Sequence, residues 1–466
     1  MRKRSGRPCR SALRLRGVCP VGLVLTVSVL THAGSVAAQT DFRLSPIPID
    51  TFTLANGLHV IVSEDHSTPV VAVSMWYYVG SAHEPTGRSG FAHLFEHLLF
   101  EETENLDDGE FDRLITQAGG VLNGTTDNDR TAYFEILPAN RLNLALWAHA
   151  ERMDRLVVTE RGLETQREVV KEERRFRIDN QPYAHAQLAL DTLATDYPPY
   201  RHLTIGTMDD LDAATAGDAL DFYERYYVPN NAVLAVVGDV TPRQVRTLTE
   251  EYFGAIPRGT AVPSLPPVPT TPRTDGERRL ELSDPLAQLP RIWMAYNTPP
   301  ADHPDAYALD LLAVVLSGGE SSRLERRLVQ DEQAALAIAA FNRDRLGGGM
   351  LTIGAIPNVG VEVERIEELV AAEIVVLQEA GITDRELRKA KNQERADAVT
   401  NRLRVQSKGN LLQAAQLHYR DPFRVNSQVE RYEAITLEDL RRVARTYLTL
   451  DNQTVVIARP AAATGK

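Results

Sequence analysis

Thiols are nearly missing from this chain. Its 466 residues include two cysteines, Cys9 and Cys19, and both lie within the first 38. The residues beyond that point can form neither a disulfide nor a cysteine nucleophile. A Gly-x-Ser-x-Gly elbow is missing as well, which removes a common way of presenting a serine nucleophile above a sheet. After position 38 no apolar run reaches the roughly 20 residues that a membrane-crossing helix requires. Basic residues are the minority, 51 Lys and Arg against 63 Asp and Glu, which disfavours nucleic acid as a partner. Aromatic and charged residues, at 6% and 24%, are ordinary for a globular protein, so disordered and fibrous classes fit poorly.

The chain opens with Arg2, Lys3, Arg4, Arg7, Arg10, Arg14 and Arg16, then an apolar run from Val21 to Leu30 and the small-residue stretch Val36-Ala37-Ala38. This layout predicts a signal peptide over 1–38 and an exported protein, periplasmic or secreted, that leaves the membrane on cleavage. Cys19 follows Arg16-Gly17-Val18, a poor context for lipid attachment. Without those seven basic residues, 44 remain against 63 acidic ones, a net charge near −19. Such a surface mildly favours basic partners.

At 43% hydrophobic residues the chain has material for more than one core. From Phe52 onward, strand-like runs (58–62, 70–78, 131–137, 232–238) alternate with helical periodicity near 90–101, 141–155 and 159–177. Between Ile256 and Arg278 come Pro257, Pro263, Pro266, Pro267, Pro269 and Pro272, with little periodicity. The prolines predict a semi-rigid linker. Beyond it a second unit of similar element order begins at the strand-like 291–296. The expectation is an α+β protein of two similar domains, mixed sheets packed with helices, over 45–258 and 279–462, joined by a linker at 259–278.

The chemistry concentrates in Gly90-Phe91-Ala92-His93-Leu94-Phe95-Glu96-His97. On a helix, residues four apart share a face, so His93 and His97 can reach one ion with Glu96 beside them. Neutral imidazoles suit zinc, and a carboxylate that does not bind the metal can take a proton from water. The order His-x-x-Glu-His is the inverzincin signature; the competing explanation is a core helix with two hydrogen-bonded histidines. Hydrolytic zinc sites use three protein ligands, and Glu173 is the best further candidate. On a helix through Leu163-Glu164-Thr165-Gln166, it shares an apolar face with Leu163, Gln166, Val169, Val170 and Phe176, whereas Glu172 points to water. A salt bridge to an arginine is the competing explanation of Glu173.

With these pieces the sequence resembles the pitrilysin/insulinase family, in particular the branch with mitochondrial processing peptidase and small bacterial zinc peptidases. Further matching segments are Gly80-Ser81-Ala82-His83-Glu84, Gly119-Gly120-Val121-Leu122-Asn123-Gly124-Thr125-Thr126, Tyr200 to Gly206, Tyr226 to Ala232 and Ser317 to Leu324. The resemblance implies half of a clamshell chamber that closes with a second chain around an unfolded peptide. It implies one Zn²⁺ per chain on His93, His97 and Glu173, with Glu96 as general base. The 76 residues from His97 to Glu173 fit the family spacing. It also places Asn123, Gly124 and Thr125 on an edge strand that pairs with substrate. Two departures stand out. Gln166 occupies a position where many members have a second glutamate. Val329 and Leu336 stand where active members carry an arginine and a tyrosine, unless Arg326 or Arg327 substitutes. The implied partner is therefore a related subunit carrying that Arg/Tyr pair, with a homodimer as the alternative. A non-catalytic peptide-binding or core-type subunit is the competing functional class.

Overall fold

Strands that are apolar on both sides must be covered twice, and the chain meets this demand in two sheets. The computed structural model describes residues 44–269 and 271–461; the expected leader, 1–38, lies outside them. The first sheet comprises β1 (Asp50–Thr53), β2 (His59–Glu64), β3 (Val70–Tyr77), β4 (Val121–Thr126), β5 (Thr131–Pro138) and β6 (Ala232–Gly238), in the order β1-β2-β6-β3-β5-β4. The second comprises β7 (Arg278–Asp284), β8 (Arg291–Thr298), β9 (Ala335–Arg343), β10 (Gly349–Pro357) and β11 (Gln453–Pro460), in the order β7-β11-β8-β10-β9.

Apart from β1, the sheets have one topology. In each the last strand in sequence runs parallel to the first of the shared set, β2 with β6 and β7 with β11. The remaining neighbours are antiparallel, so β3, β5 and β4 correspond to β8, β10 and β9. The duplication expected from element order is thus present in the pairing, and the protein is α+β with helices packed on both sheets.

β6 is buried along its whole length. One face of its sheet is covered by helices of the first half, including Phe91–Leu98, Leu142–Asp154 and Pro242–Phe253. The other face is covered from the second half: Val405, Leu412 and Leu417 of the helix Val405–Tyr419 pack on Ile61, Ala72, Trp76, Val233 and Val237. Gln413 on that helix is fully buried and donates to the carbonyls of Ser74 (2.9 Å) and Val233 (3.1 Å). The first half reciprocates. Its helix Ala184–Ala194 packs Ala186, Leu190 and Ala194 on Trp293, Ala295, Met350, Val456 and Ala458 of the second sheet.

Between Phe253 and Arg278 the described residues form neither strand nor helix, yet they are not loose. Leu265 and Val268 pack against Ala82, Tyr197 and Tyr200, and Arg273 is buried, donating 2.6 Å to the carbonyl of Gln453. No described helix is long and apolar enough to cross a membrane.

One ion pair lies inside the first core. Glu135 on β5 and Arg152 on the helix behind it are buried and paired, and His149 Nε2 lies 2.6 Å from the second carboxylate oxygen. The guanidinium also sits over the rings of Phe111 (4.9 Å) and Phe100 (5.4 Å). Burial alone pushes the Glu135 pKa up, but the attraction of Arg152 and His149 outweighs it and holds the carboxyl at about 2. A folded value below the ordinary 4.5 means the contribution is complete above 4.5 and is lost as pH falls toward about 2. Glu135→Gln leaves Arg152 buried without its countercharge, so urea unfolding at neutral pH should show a loss of about 3–5 kcal/mol. The gap between variant and parent should narrow as pH drops from 4.5 toward 2. A gap that stays constant would show that the pair contributes nothing as a charge pair.

Candidate metal centre

Helix Phe91–Leu98 begins at Gly90, whose φ of +91° and close approach to the Gly206 backbone leave no room for a side chain. In place of a residue of its own capping it, the buried carboxylate of Glu84 accepts hydrogen bonds from the N–H groups of Gly90 (3.0 Å) and Ala92 (2.8 Å). His202 Nε2 meets the same carboxylate at 2.9 Å. Phe91, Ala92, Leu94, Phe95 and Leu98 are buried in the core, and His93, Glu96 and His97 occupy the other side.

Helix Glu160–Arg174 lies against this one and is started by Thr159, whose hydroxyl accepts from Gly162 N–H at 3.0 Å. Leu163 and Val170 are fully buried, and the Glu173 side chain is 16% exposed against 71% for Glu172. The apolar face is narrower than the sequence pattern predicts, because Val169 is 44% and Phe176 68% exposed. Val169 and Phe176 fall outside the sides covered by the first helix and by Asp212 and Ala214, and from Arg175 to Asp179 the helix widens into π-type turns, with Phe176 turned outward.

The two helices bring His93, His97 and Glu173 together. One potential ligand atom from each lies within 4.8 Å of the others. Glu173 Oε2 is 3.5 Å from His93 Nε2 and 3.2 Å from His97 Nε2. Tetrahedral zinc with ligands at about 2.0–2.2 Å spaces ligand atoms roughly 3.3–3.6 Å apart, so the donor set and its spacing fit that ion. Burial, reinforced by the neighbouring His97, lowers the His93 pKa to about 4, which keeps the ring neutral and able to donate a lone pair. The hydrogen bond from His97 outweighs burial and lowers that of Glu173. The other oxygen of Glu173 meets Arg177 at 2.8 Å. The arginine pairing weighed as an alternative thus coexists with the histidine cluster.

Gln166 stands beside the cluster with its Oε1 3.3 Å from His97 Nδ1, so the ring can donate there and direct Nε2 toward Glu173. Its amide donates to Glu101, a buried carboxylate whose pKa is raised by burial and then by nearby Asp108. Sequence reasoning missed Glu101, which lies beyond the end of helix Phe91–Leu98, where helical spacing carries no signal.

Glu96 is held by the Thr126 hydroxyl, which donates to Oε2 at 2.6 Å. Burial raises its pKa, and the Thr126 bond opposes the rise only in part. Among the described residues β4 pairs with β5 alone and leaves its other edge unpaired. Asn123 and Thr125 on it are exposed, while Gly124 is buried against Glu96. A Cβ at Gly124 would fall 2.7 Å from Glu96 Cγ, so glycine lets the edge strand and the carboxylate approach. In the second half, Val329 packs against the core and Leu336 is largely exposed. Arg326 and Arg327 face Asp331 (3.6 Å) and Glu332 (2.9 Å).

The family model described as insulinase (peptidase family M16) matches residues 59–203, and that described as peptidase M16 inactive domain matches residues 213–394. The chain is similar to the zinc protease PqqE of Helicobacter pylori, 33% identical over 453 residues, covering 97% of this chain and 99% of the relative. Among solved structures, a protease from Helicobacter pylori superposes with a TM-score of 0.83 at 32% identity, over 89% of this chain and 100% of that one. A peptidase M16 inactive domain from Pseudomonas fluorescens shares the fold, with a TM-score of 0.79 at 18% identity over 90% and 100%.

The geometry sets a clear order for zinc affinity. Glu173→Ala should weaken binding by more than the roughly 10–100-fold expected when only a ligand's supporting hydrogen bond is lost. Gln166→Leu should fall within that range, and Glu172→Ala should leave affinity unchanged. Competition titration with a zinc chelator reads all three, and equal affinities for the Glu172 and Glu173 variants would contradict the placement.

Proposed function

Because the chain belongs to the insulinase family of peptidases, family M16, we propose that it is a zinc metalloendopeptidase that hydrolyses internal bonds of unfolded peptides. The observation that carries this reading is the cluster of His93, His97 and Glu173 within 4.8 Å, with Glu96 beside it and committed to no metal-binding group. A zinc ion held there supplies Lewis acidity and lowers the pKa of water to about 7. Glu96, made more basic by burial and oriented by Thr126, takes the proton of the attacking water and passes it to the leaving amine. The open edge of β4 accepts an extended peptide as an added strand, with Asn123, Gly124 and Thr125 opposite its backbone. One zinc per chain follows from a single three-ligand cluster among the described residues.

The same reading takes the protein to be exported, on the strength of its basic and apolar leader, and to work with a related subunit. Val329 and Leu336 cannot donate to a peptide carbonyl or a developing oxyanion, so a partner supplies those groups. The match of residues 213–394 to a model described as inactive favours the same division of labour. It also keeps a second reading open, a subunit that holds peptides without cutting them; Glu96 with its hydroxyl partner argues against it.

Glu96→Gln should retain zinc and the folded state and lose about 10²–10⁴-fold in turnover of an unfolded basic peptide. Turnover equal to the parent's would remove Glu96 from the mechanism. The chain alone should be slower than the chain with its partner by roughly 10²–10³-fold, the effect of one missing oxyanion donor. Full activity of a homogeneous preparation of this chain would overturn the need for a partner.

A further inference from the structure

The two halves touch where their equivalent hairpins turn. The β4–β5 turn, Asp127 to Arg130, corresponds in topology to the β9–β10 turn, Asp344 to Gly348. Asp129, buried at 6% exposure, joins them. One of its carboxylate oxygens accepts from the hydroxyl of buried Tyr200, and the other accepts the N–H of Leu346 at 3.0 Å. The N–H of Gly347 donates to the Tyr200 hydroxyl at 2.6 Å, and Arg345 lies over the Tyr200 ring at 4.4 Å. Arg345 also reaches Asn128 Oδ1 at 3.4 Å. Gly347 is required for this approach, because a Cβ there would fall 2.3 Å from the Tyr197 ring.

The same turn is tied on its other side to the segment before the metal helix. Ser81 N–H donates to the carbonyl of Asp127 (3.1 Å) and Ala82 N–H to that of Asn128 (2.9 Å). Immediately before the turn stands Thr126, whose hydroxyl holds Glu96. The end of β4 is therefore fixed between a first-half segment and a second-half loop, and among the described hydrogen bonds those of Asp129, Asn128 and Tyr200 make the second-half attachment. From this geometry we infer that Asp129 is a positioning residue: with Tyr200 it lets the second half set where Thr126, and through it Glu96, stands over the metal site. The inference rests on the proposed role of Glu96. It concerns geometry, since Asp129 touches none of the reacting groups.

A displacement of about 1 Å at a catalytic group costs up to roughly 10²-fold in rate. Asp129→Asn keeps the shape but replaces the charged acceptor with a neutral amide, which weakens the bonds to Leu346 N–H and the Tyr200 hydroxyl; Tyr200→Phe removes the shared hydroxyl. Each is assayed in the full chain, with the partner subunit where activity needs it, beside Glu96→Gln. The expected result is a fall of roughly tenfold in kcat for each clasp variant, with KM within about twofold and zinc content unchanged. The double variant should be no worse than either single one, because both cut the same link. Amide hydrogen exchange over residues 121–126 should also speed up. Parental kcat in both clasp variants, with Glu96→Gln inactive, would overturn the inference alone, even if thermal stability fell. Turnover retained by Glu96→Gln would instead overturn the proposed mechanism and this inference with it. If Asp129→Asn does not fold, Tyr200→Phe decides.

Discussion

Each sheet needs cover on both faces, and each half of the chain covers one face of its own sheet and one face of the other's. Helix Val405–Tyr419 lies on the first sheet and helix Ala184–Ala194 on the second. The apolar strands at the centre of each sheet would face water without the loan, at roughly 25 cal/mol per Å² of apolar surface. Neither half is therefore a closed core by itself. The described residues form one compact unit. The cluster of His93, His97 and Glu173 is held in place by that arrangement, because the helices carrying His93 and Glu173 pack into the first core.

Three acidic side chains support the first half without joining the cluster of His93, His97 and Glu173. Glu84 satisfies the N–H groups at the start of the metal helix, Glu101 orients Gln166, and Glu135 neutralises Arg152 beneath the aromatic rings of the core. Each carboxylate is buried; charged partners outweigh that burial at Glu135, whereas at Glu84 and Glu101 burial still raises the pKa against the donors present. The chain as a whole is acidic, yet these carboxylates act individually, each through its own donors.

Much of this was legible in sequence. The spacing of His93, Glu96 and His97 reports a helix face directly, since three- and four-residue separations are local facts. Glu173 was reachable because its neighbours Leu163 and Val170 mark the covered side. The width of that side was not: Val169 and Phe176 look apolar and are exposed, because the covered stripe depends on which residues the neighbouring helix touches. The duplication was visible only as element order, since strand pairing repeats while side chains do not. Glu101, Thr126 and Asp129 stayed hidden for the same reason. Their partners, Gln166, Glu96 and Leu346, are 65, 30 and 217 residues away.

Gly124 carries a lesson for anyone who would redesign the edge strand. Its missing side chain is the space that Glu96 occupies, so even alanine intrudes on the carboxylate. Asn123 and Thr125 on either side face outward. Substitution is therefore free to accumulate at 123 and 125, whereas 124 is closed to it. A library randomised across all three positions would spend most of its members on chains whose edge strand has been pushed off the helix beneath it.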